Sequence, residues 1–344
     1  MLAHSIKSQN GKSVLLLPFN YLGHHIAAVS SHVFTGEPIG TGSGRGQNDK
    51  NNKMRETIIG AIINDCVPAA YYRTERWRAL KIAVDGFLHE CAGDRYSRAE
   101  CIHAAGRGHN YDFTVQFFTH DNTGATTTTT TTTTNVEFKF NAAKVSDAPQ
   151  FVSPMKPSQY LSASYEEYFY DKYLIIIAAA GASSTIPNRA DWLKQIHNNS
   201  PVCVKELQDK YYAGCVNSSQ FTNAADDIAF YELCKKVSTE SIRAFISEHE
   251  LDIVKLTQYL RDSQDGKTYM LFQPAVAAAS ASASAPAPVI TLQRVDPADY
   301  NIVSCVKNPA KSRYECETQS GKKINVLLRW KNGNGIAFPA FQIS

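Results

Sequence analysis

Two amphipathic helices are predicted early in the chain by the spacing of apolar residues. Apolar side chains recur at helical spacing from Met54 onward, and a second stripe of this kind covers residues 75–91. Residues 13–19 have the pattern of a short strand. Residues 36–53 contain almost no large apolar side chain, which predicts a mobile loop or linker. Regular structure is therefore expected to begin near Met54.

Two strands with alternating apolar and polar residues are predicted next, over residues 111–117 and 136–140. Between them lies a run of nine threonines, residues 126–134. A homopolymer offers no variety of side chains with which to fix a strand register. We therefore predict an expanded hairpin loop here, which can lengthen the second strand but carries no chemistry.

The remainder of the chain changes from helical to strand-like patterning. Ser164 and Glu167 have capping-box spacing, Ser200 with Pro201 is a helix start, and Gly214 is a helix stop. Helices are predicted at 168–180, 201–214, 224–236 and 239–261. Residues 275–289 are almost entirely alanine, serine and proline, which predicts a linker. Beyond it, strand-like segments such as 323–330 and 336–343 indicate a small β module or the returning edge of the main sheet.

Composition indicates an ordinary globular protein. The net charge of +3 permits a nucleic-acid partner without arguing for one. No signal-peptide cleavage pattern follows the first apolar run, and the longest apolar stretch is too short to span a bilayer. We therefore expect an intracellular protein that is not secreted. The eight cysteines are scattered without a Cys-x-x-Cys pair, which indicates reduced, mostly buried thiols.

Candidate chemistry lies on the polar faces of the two predicted strands. Asp112 points away from the aromatic face of the first strand, and Glu137 and Lys139 point away from that of the second. In an antiparallel hairpin these side chains converge. Carboxylates hold Mg²⁺ together with water and phosphate oxygens, and a nearby lysine can orient or deprotonate a water molecule. This suits phosphodiester hydrolysis; the plain alternative is a solvated sheet face with Glu137 and Lys139 as a surface ion pair.

These residues carry a resemblance. Residues 105–113 (Ala-Gly-Arg-Gly-His-Asn-Tyr-Asp-Phe) and 136–140 (Val-Glu-Phe-Lys-Phe) resemble the PD-(D/E)xK nuclease superfamily, which includes many restriction endonucleases. Its pattern is an acid at one strand and acid-x-lysine on the next, usually after a helix that bears another glutamate. Tyr111 stands where the motif has proline, a loosely kept position. The resemblance covers roughly residues 54–155.

The resemblance implies an α/β fold with a restriction-endonuclease-like mixed central sheet flanked by helices, with helical additions and a C-terminal β segment. Asp112 and Glu137 would bind Mg²⁺ or Mn²⁺, and Lys139 would act on the nucleophilic water. The upstream glutamate could be Glu56, Glu75 or Glu90. We favour Glu56, because a glycine and a clean apolar stripe follow it.

Further residues are candidates for the site or for DNA contacts. Gln150 could contact phosphate or support the site, although the interpretation as an ordinary loop glutamine is equally good. Arg107, between two glycines, could meet a phosphate, or form a plain turn. The arginines that interleave with aromatic residues suggest a nucleic-acid-facing helix or a solvated helix face: Arg73, Arg76 and Arg78. A competing zinc site would use residues whose spacings match no standard site: Cys91, Cys101, His103 and His109.

The sequence thus predicts an N-terminal strand and flexible loop (1–53), a nuclease core with helical additions (54–274), a linker (275–289) and a C-terminal β segment (290–344). The expected function is a Mg²⁺-dependent DNA endonuclease of restriction type. A repair or recombination nuclease acting on junctions or ends, and a non-catalytic DNA-binding protein with the same fold, are the alternatives. DNA is the expected partner, no membrane is expected, and a homodimer stays open.

Overall fold

The computed structural model describes residues 4–7, 13–35, 45–104, 109–123, 126–147, 155–182, 186–198, 204–274, 287–331 and 333–344. The chain forms two compact units: the first comprises Met1–Ala148 and Gly266–Val295, and the second comprises Pro149–Asp265 and Asp296–Ser344. Each unit is built from two stretches of chain, whereas the sequence predicted one continuous core over 54–274. The difference arises because the chain leaves the first unit and returns to it at Gly266.

The first unit is built on a five-stranded mixed sheet. Its strands, in order across the sheet, are β5 (Arg98–His103), β6 (Phe113–Thr123), β7 (Thr126–Phe140), β8 (Lys267–Gln273) and β9 (Val289–Arg294). β7 and β8 run parallel, and the other neighbours are antiparallel. Four short strands precede this sheet in two antiparallel pairs: β1 (His4–Lys7) with β2 (Ser13–Leu16), and β3 (Phe19–Tyr21) with β4 (His24–Ile26).

Two helices cover the apolar face of this sheet: α1 (Arg45–Ile63) and α2 (Glu75–Ala92). Their buried side chains, such as Ile59 and Trp77, share one core with Phe113 and Phe138 of the sheet. The mixed α/β class with a mixed sheet flanked by helices is therefore confirmed. α2 matches its prediction, but α1 begins at Arg45, so the predicted loop is wrong for residues 45–53; its remainder, residues 36–44, lies outside the described residues. Once the apolar stripe after Met54 anchors the helix, adding polar turns before it costs little.

The interior strand β8 has no counterpart in the sequence analysis. Residues 267–272 are all buried, because β7 and β9 flank the strand and both of its faces are covered. A strand of this kind is a continuous apolar run and lacks the alternation that marks a half-exposed strand. Its position beside β7 depends on parallel pairing between two strands that are far apart in sequence.

The threonine tract is strand, not loop. Residues 126–134 belong to β7 and pair one to one with β6, from Thr126 opposite Thr123 to Thr134 opposite Val115. β5 reaches only to Phe118 of β6, so beyond that point β6 and β7 continue as a two-stranded ribbon. The loop prediction was wrong because threonine is β-branched and favours strands, and because β6 supplies a partner strand of equal length.

The second unit combines helices with a four-stranded antiparallel sheet of strands β10 (Ile302–Asn308), β11 (Arg313–Thr318), β12 (Lys323–Trp330) and β13 (Pro339–Ile343). The helices are α3 (Tyr165–Phe169), α4 (Ile175–Ala180), α5 (Arg189–Gln195), α6 (Lys205–Gly214), α7 (Ala225–Glu248) and α8 (Ile253–Gln264). The Ser164 side chain caps α3, as its spacing predicted. α7 is continuous where a break between 236 and 239 was predicted.

Both predictions for the C-terminal segment hold, on different residues. β9 is an edge strand of the main sheet, and β10 to β13 form a separate sheet. Of the predicted linker, residues 275–286 lie outside the described residues, and Val289 already belongs to β9. None of the helices in the described stretches is long and apolar enough to cross a membrane.

Cys305 and Cys316 form a disulfide between β10 and β11. The expectation that all the cysteines are reduced is therefore wrong for this pair. The antiparallel register sets the two residues directly opposite each other, which their separation along the chain does not reveal. The free cysteines among the described residues are Cys66, Cys91, Cys101, Cys215 and Cys234. An intracellular location stays a prediction.

Candidate active site

Asp112 lies directly before β6 and is fixed by the backbone of β7. Its N–H donates to the carbonyl oxygen of Val136 at 2.9 Å, and its Oδ2 accepts the N–H of Phe138 at 2.8 Å. Phe113 pairs with Val136, so the same register carried one residue outward places Asp112 opposite Glu137. The convergence expected from strand alternation is therefore present.

Glu137 and Lys139 lie on β7 and point to the same face. Lys139 Nζ contacts Glu137 Oε1, and the side chains are only 19% and 15% exposed, respectively. Their neighbour Phe138 points to the opposite face, where it joins the core beneath α1 and α2. Such low exposure argues against the alternative of a solvated surface pair, because surface pairs of this kind remain largely hydrated.

Lys267, at the start of β8, completes the same group and was not predicted. Its Nζ lies 3.4 Å from Glu137 Oε2, and its side chain is 5% exposed. The parallel register sets Lys267 beside Asn135, two residues before Glu137 and on the same face. Burial lowers the pKa of the Lys267 ammonium, and the charge of Glu137 opposes this shift. The only sequence signal is Lys267 itself, just before the apolar run 269–272.

Of the three candidate upstream glutamates, the structure brings Glu56 to this group. Burial, together with the negative charges of Asp112 and Glu137, raises the pKa of Glu56 to about 8, against the lowering effect of Lys53 and Lys139. Effects of this kind fall with distance, so Glu56 on α1 is close enough to interact with the strand carboxylates.

The other two candidates are placed elsewhere. Glu75 is exposed at the start of α2. The Oε2 of Glu90, near the end of α2, accepts the N–H of Leu292 on β9 at 3.4 Å. Glu90 therefore contacts an edge strand that is two strands from β7.

The resulting polar cluster consists of Glu56, Asp112, Glu137, Lys139 and Lys267. Burial raises the pKa of Asp112 to about 6, and Glu137 contributes to the increase; the N–H of Phe138 and the two lysines oppose it. Burial thus disfavours the ionised forms of Asp112 and Glu56. A bound cation would stabilise these ionised forms, which favours cation binding at the cluster.

The donor set of the polar cluster fits a hard divalent cation. Mg²⁺ is usually held by one or two carboxylates together with water and substrate phosphate, not by a complete cage of protein ligands. Asp112 and Glu137 supply two such carboxylates, and Glu56 lies next to them. Within the described stretches, no group of three or more His, Cys, Asp or Glu side chains is already arranged around a metal position.

The remaining predicted residues lie apart from the cluster or outside the described stretches. Arg107 and Gln150 fall outside the described residues. Arg73 and Arg76 are exposed on a short helix and on α2, while Arg78 is half-buried. Tyr71, which precedes the three arginines, and Trp77, which lies between Arg76 and Arg78, are buried in the core. This pattern fits a solvated helix face as well as a DNA contact.

The four residues of the alternative zinc-site hypothesis are spread over several parts of the first unit. Cys91 lies on α2, whereas Cys101 and His103 lie on β5. His109 is exposed and its ring lies 5.1 Å from that of Tyr111. Burial raises the pKa of the Cys91 and Cys101 thiols to about 12, which disfavours the thiolate form that binds zinc.

Comparisons of this chain with protein families, with curated proteins and with solved structures give no significant match. The function is therefore inferred from the site, that is, from which side chains meet, how deeply they are buried and which charges they carry.

Proposed function

We propose that this protein is a metal-dependent endonuclease that hydrolyses DNA phosphodiester bonds, with a restriction-endonuclease-like core of the PD-(D/E)xK type. One observation carries the proposal. An acid before one strand, an acid-x-lysine on the paired strand and a glutamate from the preceding helix meet in a single half-buried cluster. The same residue types, in the same order along the chain, make up the pattern of that superfamily.

Asp112 and Glu137 would hold the cation, Mg²⁺ or Mn²⁺. When bound, it would polarise the phosphodiester and lower the pKa of a coordinated water. Lys139 Nζ contacts Oε1 of the proposed cation ligand Glu137. From there it would donate hydrogen bonds to the attacking water and to a phosphate oxygen. The N–H of Phe138 holds Asp112 Oδ2, so this carboxylate keeps its orientation without a ligand.

Glu56 contributes a proton-carrying group to the same place. With a pKa of about 8, its carboxyl group carries a proton at neutral pH and donates a hydrogen bond where an ionised glutamate could not. It can therefore lie beside Asp112 and Glu137 without adding a third negative charge. It also supplies a group that can exchange a proton with water near neutral pH.

DNA is the proposed substrate, because the cluster suits a phosphodiester and a cation together. Arg73 and Arg76 are exposed cations of the same unit and are the proposed phosphate contacts, with Arg78 beside them. Phosphate contacts of this kind position a duplex and do not read its sequence.

The experiment is incubation of the purified chain with circular plasmid, linear duplex and branched DNA in Mg²⁺, in Mn²⁺, in Ca²⁺ and in a chelator. We expect cleavage of the intact circle at fixed positions in Mg²⁺, and none in the chelator or with the Asp112→Asn variant. Cleavage of branched or linear DNA alone would assign the protein to repair or recombination. If none of the substrates is cut in Mg²⁺ or Mn²⁺ while DNA is bound, the protein is a non-catalytic DNA-binding protein and the proposal is wrong.

A further inference from the structure

Both oxygens of the Glu137 carboxylate are contacted by lysines that come from different strands. Lys139, on the same strand as Glu137, contacts Oε1. Lys267, on the neighbouring strand β8, lies 3.4 Å from Oε2. The acid-x-lysine pattern along β7 accounts for the first contact only. The second depends on the pairing of β7 with a strand that returns from far along the chain.

The two lysines differ in how deeply their side chains are buried. The side chain of Lys267 is 5% exposed and that of Lys139 is 19% exposed. Lys267 also begins a strand whose next residues are all buried. Burying an ammonium group costs free energy unless a charged partner lies beside it. Glu137 is this charged partner. The contact between the two side chains therefore holds the Glu137 carboxylate in place as well as the Lys267 ammonium.

We propose that Lys267 is a positioning residue for Glu137, an inference that rests on the proposed nuclease function. Lys267 holds Oε2 from the neighbouring strand, and this leaves Oε1 and Lys139 as the pair that rearranges when cation and phosphodiester bind. Lys139, which is nearer to solvent, is then able to leave Glu137 for the substrate. The buried Lys267 stays on Glu137 and keeps the carboxylate oriented.

The kinetic test compares Lys267→Met and Lys267→Arg with a control on the same strand. Groups that orient a metal-binding side chain typically contribute roughly 10- to 100-fold to activity. We expect Lys267→Met to lower kcat by about that factor while DNA affinity in Ca²⁺ stays unchanged, and Lys267→Arg to recover part of the loss. Thr268→Val, a buried neighbour on the opposite face, should behave like wild type. An unchanged kcat, or an equal loss of DNA affinity, would overturn the inference.

A second test needs no activity. Glu137→Gln removes the carboxylate that contacts the buried Lys267 Nζ, so it should lower the melting temperature of the metal-free protein. Adding Lys267→Met to this variant removes the buried ammonium, and the double variant should melt above Glu137→Gln alone. Strictly additive effects would mean that the two residues are not coupled and would overturn the inference even if the protein cleaves DNA. Non-additive effects in a chain without nuclease activity would retain the pairing and reject the proposed function.

Discussion

The two ends of the β6–β7 hairpin differ sharply, although they belong to the same pair of strands. At one end, Asp112, Glu137 and Lys139 lie next to β5 on one side and β8 on the other. At the other end, residues 119–123 and 126–130 pair only with each other, and most of them are threonines. The first end combines varied side chains with neighbouring strands on both sides, and the second end has neither.

This contrast indicates what a site of this kind requires. A two-stranded ribbon is at best marginally stable in water, and identical side chains do not fix its register. At the site end, Phe113 and Val136 are buried opposite each other and fix the register. β8 then adds Lys267 to the polar face. The geometry of the site therefore depends on the sheet as a whole, not on the hairpin alone.

The largest effect is expected from substitutions at the end of the hairpin that carries the polar cluster. Asp112→Asn, Glu137→Gln and Lys139→Ala should each lower single-turnover cleavage in Mg²⁺ by at least ~10²-fold, because each removes a charge that holds the cation or contacts the water. Circular dichroism checks that the variants fold. Lys81→Ala, which removes an exposed ion pair with Asp85 on α2, is the matched control and should cleave normally. A near wild-type rate in one of the three variants would remove that residue from the site.

A pH-dependent loss of stability is the next largest effect. The folded protein holds a proton on Glu56 up to about pH 8, whereas the unfolded chain releases it near its ordinary pKa of 4.5. The folded state thus binds more protons in this interval, and the free energy of unfolding falls as pH rises through it. Asp112, with a pKa of about 6, adds to the fall at lower pH.

Glu56→Gln removes this ionisation. At about pH 8.5 the variant should melt above wild type by on the order of 5 °C, and the difference should shrink or vanish near pH 5. Thermal unfolding of both proteins in a chelator measures it. A wild-type melting temperature that is flat between these values would mean that Glu56 does not lie among the carboxylates as described.

A smaller effect is expected at the arginines of α2 and the helix before it. Replacing Arg73, Arg76 and Arg78 together with alanine should weaken binding to every DNA sequence about equally in Ca²⁺ and flatten its salt dependence, because fewer counterions are released. The triple lysine variant keeps the charges and should bind nearly as wild type does. If affinity and slope both stay unchanged, the arginines form a solvated helix face, and the DNA contact is to be sought first near Arg329 and Lys331.

The smallest effect is expected at the ribbon end. Replacing residues 119–130 with Asn-Gly connects Phe118 to Thr131 by a two-residue turn suited to hairpins. Phe118 and Thr131 are paired in the strand register. Activity should stay within about twofold of wild type, since shortening a connection changes the free energy little. Moving the same turn inward to join Thr114 to Asn135 removes the buried Val115 and Phe117, and this variant should not fold. A folded but inactive short-ribbon variant would show that the ribbon serves the reaction.

Local sequence patterns predicted the strands and helices that have one apolar face and one polar face. Period-two alternation located Glu137 and Lys139 on one face of a strand and Asp112 beside it, and helical spacing located α2 and the part of α1 that bears Glu56. β8 and Lys267 were missed because a strand buried on both faces has no alternation and its partner lies far away in sequence. The division of the chain into units and the Cys305–Cys316 pair also depend on long-range pairing, which local patterns do not contain.

The most direct test of the site is single-turnover cleavage of a duplex in water enriched in ¹⁸O, with wild type and Asp112→Asn side by side. Hydrolysis by a water molecule at the polar cluster predicts strand breaks in Mg²⁺ with wild type only, and ¹⁸O in the newly formed terminal phosphate. Absence of breaks with wild type, breaks without the label, or equal cleavage by Asp112→Asn would contradict the assignment of this cluster as a hydrolytic site.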